Sequence, residues 1–132
     1  MKRRVFLATA AAAAIAPIAA VASDFVTFTD GVIEQALAEG KTVFVDYSAT
    51  WCSTCHRQER VINGLRAADP AYDVAMTFVK VDWDDYGSHE VAVFRNIPRR
   101  STLIVLRGED ELGRIVAGTA QSQIKALMDI GL

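Results

Sequence analysis

Val45-Asp46-Tyr47-Ser48-Ala49-Thr50-Trp51-Cys52-Ser53-Thr54-Cys55 is the stretch that decides how this chain is read. It begins inside a β-branched and aromatic run, Thr42-Val43-Phe44-Val45-Asp46-Tyr47, short and nearly continuous like a strand buried on both faces. It ends on two cysteines, after which Val61, Ile62 and Leu65 continue at helical spacing until Asp69-Pro70 breaks the pattern. A strand therefore feeds directly into a helix, with the cysteines at the join. Free backbone N–H groups and the dipole at a helix N-terminus favour an anion, which makes Cys52 the better thiolate. The thiolate is the form that attacks a disulfide, and Cys55, one turn further in, can resolve a mixed disulfide on Cys52. The bland alternative is a structural staple. A bridge across C-x-x-C closes so short a loop that it stabilises little in the chain-entropy model, and reversible chemistry fits better.

Outward from this segment the chain alternates between strand and helix. Phe25-Val26-Thr27-Phe28 reads as a short edge strand. Thr29 or Asp30 can cap a helix with Val32, Ile33, Ala36 and Leu37 on one face, closed by Gly40. Residues 76–81 read as a second buried strand, and Ser88 can cap a short helix carrying Val91, Ala92 and Phe94. Thr102-Leu103-Ile104-Val105-Leu106 is a third buried strand. The turn Arg107-Gly108-Glu109-Asp110 leads into residues 112–116 as a hairpin, and Ile124, Leu127 and Met128 mark a closing helix. The expected order is β-α-β-α-β-α-β-β-α, an α/β fold with a central mixed sheet and helices on both faces.

The first 22 residues stand apart. Lys2-Arg3-Arg4 is a positive n-region, the stretch that follows is alanine-rich and uncharged, and Ala20-Val21-Ala22 offers the small-x-small pattern of a cleavage site. Arg3-Arg4-Val5-Phe6-Leu7 resembles a twin-arginine export signal, with a general secretory signal as the alternative. The expectation is a cleavable signal over residues 1–22, a single domain over 23–132, a periplasmic location, and no stable membrane insertion after cleavage. A formal net charge of −2 gives no electrostatic reason to expect a nucleic-acid partner.

The quoted segment is similar to the strand-to-active-site segment of the thioredoxin family, and the likeness extends over nearly all of residues 23–132. It resembles most the periplasmic thioredoxin-like reductases, including the C-terminal domains of transmembrane thiol–disulfide interchange proteins. The resemblance implies a thioredoxin fold, with Cys52 as nucleophile and Cys55 as resolving thiol. Asp46 would be the buried proton acceptor for Cys55, with Lys80 of Phe78-Val79-Lys80-Val81-Asp82 as its partner. A carboxylate in so apolar a strand is costly without such a role. Trp51, Arg100, Ser101 and Thr102 would border the substrate. The redox-active pair would need no further cofactor or metal. The implied partners are protein disulfides and a membrane-embedded thiol donor that recharges a monomeric reductase.

One position departs from the family, which places a cis-proline opposite the cysteines just before the third strand. Counting back from Thr102 puts Ser101 in that place; Pro98 would fit only with a three-residue insertion. A cis bond before serine costs about 3–4 kcal/mol against about 0.5–1 before proline, which favours a trans bond here. Two readings compete with the reductase. Cys52-Ser53-Thr54-Cys55-His56 is also C-x-x-C-H, the attachment motif of c-type haem, with Met76, Met128 or His89 as candidate axial ligands. The third is a non-catalytic or metal-binding module on the same fold, with His56 read as a surface residue rather than a ligand.

Overall fold

The computed structural model describes residues 24–132; the expected signal over residues 1–22 lies outside them. Five strands form one mixed sheet: β1 (Val26–Thr27), β2 (Thr42–Ser48), β3 (Met76–Asp82), β4 (Thr102–Arg107) and β5 (Asp110–Val116), ordered β1-β3-β2-β4-β5. β3 runs parallel to both β1 and β2, while β4 is antiparallel to β2 and β5. The helices are α1 (Val32–Ala38), α2 (Ser53–Ala68), α3 (Ala71–Ala75), α4 (Trp83–Tyr86), α5 (Glu90–Val93) and α6 (Gln121–Ile130). No helix among the described residues is long and apolar enough to cross a membrane.

The period of two along each strand divides the interior into two cores. Val43, Val45 and Tyr47 of β2 join Val79, Val81, Ile104 and Leu106 against Ile33, Val91 and Ala92 of α1 and α5. Phe44, Phe78, Leu103 and Val105 face the other way, onto Ile62 and Leu65 of α2 and Ile124, Leu127 and Met128 of α6. Every residue of β2 is buried, as its continuous run requires of a central strand. Asp46 shares parity with Phe44, so its carboxylate is delivered to the face that α2 covers.

The remaining differences from the sequence expectation lie at the helix ends and in the short helices. Proline 70 does stop α2, but it also stands at the N-cap of α3, where its fixed φ of −65° is already helical. His89, not Ser88, caps α5: its Nδ1 accepts the Val91 N–H at 3.0 Å. Neither Thr29 nor Asp30 caps α1 with its side chain. The cap residue is Gly31 at φ 85°, and Asp30 instead meets His89 Nε2 at 2.9 Å. Gly40 does close α1, at φ 79° where glycine alone is unstrained.

Candidate active site

Cys52 is the N-cap residue of α2, with extended φ and ψ of −90° and 109°, and its Sγ accepts the Cys55 N–H at 3.1 Å. The sulfur thus occupies the place a serine or aspartate oxygen takes at an ordinary N-cap, where an anion is favoured. Cys52 and Cys55 are bonded to each other, with Cα atoms 5.2 Å apart. Cys55 is fully buried, and Ala49 and the partly buried Trp83 pack against the pair.

Ser101, not Pro98, lies against the sulfurs. Its Oγ is 3.2 Å from Cys52 Sγ and 3.1 Å from Cys55 Sγ. No peptide bond among the described residues is cis, and Ser101 takes a left-handed φ of 66° on a trans bond. Gln58 holds this loop from behind: its Nε2 donates to the carbonyls of Ser101 at 3.0 Å and Gly118 at 2.9 Å. Gln58 was missed in the sequence. Its signal was a polar residue on the stripe of Cys55, Ile62 and Leu65, the buried face of α2.

Asp46 is fully buried, and neither of its oxygens has a hydrogen-bond partner among the described residues. Burial pushes its pKa up to about 7, with Lys80 pulling it down and Glu59 adding to the rise. Lys80 is the in-register neighbour of Asp46 across the β2–β3 ladder. Its ammonium, however, makes its ion pair with Glu59 at 2.6 Å, so its influence on Asp46 is through charge and not through a hydrogen bond. Glu59, four residues beyond Cys55, carries no sequence signal of that pairing. Glu59, Lys80, His56 and Asp82 line a hollow of about 230 Å³ on this side.

At the surface, Trp51 is 60% exposed. Its Nε1 donates to both carboxylate oxygens of Asp84, at 2.9 and 3.1 Å, and the Arg100 guanidinium sits 4.3 Å over its ring. Trp51 also borders a shallow hollow with His56, Arg57 and Arg60. Among the described residues no carboxylate pairs with Arg57, Arg60, Arg99 or Arg100, whereas Lys41, Arg66, Lys80, Arg114 and Lys125 are all paired. Thr102 is buried, and its Oγ1 donates to the Arg99 carbonyl at 2.7 Å, so its side chain braces the loop. The candidate haem ligands are engaged elsewhere. Met76 and Met128 are buried in the α2–α6 core, His89 is held by Asp30, and His56 Nε2 lies 2.7 Å from the Thr50 carbonyl oxygen.

A mixed sheet that delivers a bonded C-x-x-C pair to a helix N-terminus defines a thiol–disulfide exchange centre on a thioredoxin-type scaffold. Residues 24–130 match the family model described as Thioredoxin, and the chain belongs to the thioredoxin family. It is 40% identical to Thioredoxin H2-1 of Oryza sativa subsp. japonica over 76 residues, 58% of this chain and 51% of that protein. The chain thus spans about half the length of that relative. It is 30% identical to Thioredoxin-1 of Saccharomyces cerevisiae over 88 residues, 67% of this chain and 80% of that one. Among solved structures, Trxlp from Edwardsiella tarda superposes with a TM-score of 0.68 at 30% identity, covering 79% of this chain and 98% of that one. The thioredoxin pre-protein of Schistosoma mansoni gives 0.66 at 26% identity, covering 83% and 100%.

Proposed function

We propose that this protein is an exported, monomeric thiol–disulfide oxidoreductase that reduces protein disulfides in the periplasm and is recharged by a membrane-embedded thiol donor. The observation that carries the chemistry is the Cys52 sulfur acting as the N-cap acceptor of α2, bonded to a buried Cys55. The Cys52 thiolate attacks one sulfur of a substrate disulfide, and the other leaves with the electron pair. Asp46, with a pKa near neutrality, takes the Cys55 proton. Cys55 then attacks Cys52 Sγ, the second substrate thiolate leaves, and the protein disulfide is formed. Trp51 and Arg100 are the side chains that border an incoming substrate. The reducing direction is supported by the likeness to periplasmic reductase domains, and export by the pattern of residues 1–22.

The test is reduction of insulin disulfides coupled to a dithiol, with Cys52→Ser as control. Activity is expected in the wild type and absent in the variant; equal activity in both defeats the proposal. A Soret band in the purified protein would replace it with a haem protein. A Cys52–Cys55 reduction potential at the strongly oxidising end would reverse the direction. Fractionation of cells expressing the full chain should place it in the periplasm with a new N-terminus at Ser23.

A further inference from the structure

Ser101 is fully buried, yet the only hydrogen-bond contacts of its hydroxyl among the described residues are the two sulfurs, at 3.2 and 3.1 Å. A disulfide carries no hydrogen, so in the bonded state the proton in these contacts belongs to Ser101. The residue reaches this place through an unfavourable backbone, the left-handed φ of 66° that glycine would take without strain. That backbone is fixed from three sides. The Ser101 N–H donates to the Tyr47 carbonyl at 2.7 Å, and its own carbonyl accepts from Gln58 Nε2 at 3.0 Å and Ala117 N–H at 2.8 Å. A proline here would have neither the N–H for Tyr47 nor a hydroxyl for the sulfurs. What the strained conformation secures is the oxygen.

We propose that Ser101 is a catalytic residue of the exchange reaction, its hydroxyl hydrogen-bonding whichever of the two sulfurs carries negative charge. The proposal rests on the thiol–disulfide reading above. In the reduced protein the hydroxyl joins the Cys55 N–H as a second donor to the Cys52 thiolate. That thiolate then bonds to one substrate sulfur while the substrate S–S bond breaks, its electron pair leaving on the other sulfur. Cys55, its proton passed to Asp46, bonds to Cys52 Sγ and expels the second substrate thiolate. The dithiol has lost two electrons and the substrate disulfide has gained them. On recharging, a donor thiolate attacks Cys52 Sγ and Cys55 leaves as the thiolate, and the hydroxyl, turned about its Cβ–Oγ bond, donates to Cys55. The serine proton is never transferred. A hydrogen bond to a charged group favours the charged form, so Ser101 lowers the Cys52 pKa and eases the departure of Cys55.

The test titrates the Cys52 thiolate in reduced protein by the pH dependence of its alkylation, for the wild type, Ser101→Ala and Ser101→Gly. Alanine removes the hydroxyl and keeps the strain; glycine removes both, and still reports if the alanine protein does not fold. Both variants are expected to raise the Cys52 pKa by about one unit, a tenfold smaller thiolate fraction at a fixed pH below it. Reduction of the oxidised variants by dithiothreitol should slow by a similar factor. Wild-type titration in both variants overturns the proposal, as does a shift in Ser101→Ala that Ser101→Gly abolishes, which would assign the effect to the backbone. If the wild type reduces no protein disulfide, the functional reading fails while the titration still reports on Ser101.

Discussion

Asp46 ties the stability of this fold to pH. Unfolded, its carboxyl ionises near 3.8; in the fold it keeps its proton up to about 7, because burial penalises the anion more than Lys80 favours it. The folded pKa is raised, so this group favours folding most at low pH. Its contribution declines as pH rises between the two values and levels out above the upper one. The gap corresponds to about 4 kcal/mol at full ionisation. Asp46→Ala, which loses some packing, is therefore expected to be more stable than the wild type by on the order of 2 kcal/mol in urea at about pH 8. That advantage should disappear near pH ~4. An equal advantage at both pH values would mean that charge burial is not the cause. The sequence showed Asp46 plainly, as one charge in an apolar run. The family resemblance implied Lys80 as its partner, and the strand register places it there, but nothing in the sequence showed that Glu59 takes the ammonium, because that pairing depends on how α2 lies across the sheet.

At the scale of elements, the strands were readable and the caps were not. β2, β3 and β4 announce themselves because each is buried by helices on both faces, which demands an apolar run. Caps depend on competition among neighbouring acceptors. Asp30 had the chemistry to cap α1 and Ser88 to cap α5, but His89 engages Asp30 through Nε2 and caps α5 through Nδ1. One imidazole thus displaced two expected caps. The same limit hid Gln58, which joins α2 to the loops before β4 and after β5 through a single amide nitrogen. Gln58→Ala should leave the Gly118 carbonyl unpaired and loosen the loop that carries Ser101. A loss of about 1–2 kcal/mol in chemical denaturation is expected. Hydrogen exchange at the Ser101 and Ala117 amides should accelerate, and unchanged exchange there would show that the loop is held without Gln58.

Over the whole molecule, charge is distributed against the average. All sixteen Asp and Glu lie at or beyond Asp24, together with eleven of the fourteen Lys and Arg, so residues 24–132 carry a net charge of −5. Within this acidic domain, four of the six described arginines that have no carboxylate partner lie on the side of Trp51 and the Ser101 loop: Arg57 and Arg60 in the hollow beside Trp51, Arg100 over its ring, Arg99 next in the loop. Asp84 is the carboxylate nearest to Trp51, and it is occupied by the indole N–H. On the proposed function, this charge distribution would draw a substrate disulfide flanked by acidic side chains to this face and repel it from the rest of the surface, orienting the encounter. At low ionic strength, an Asp-flanked peptide disulfide should be reduced on the order of tenfold faster than a Lys-flanked one. The difference should collapse as salt shortens the screening length to about 3 Å at 1 M. Replacing Arg57 and Arg60 with glutamine should remove much of the salt dependence for the acidic peptide. Equal rates for the two peptides at low salt would show that the arginine collar does not select the substrate.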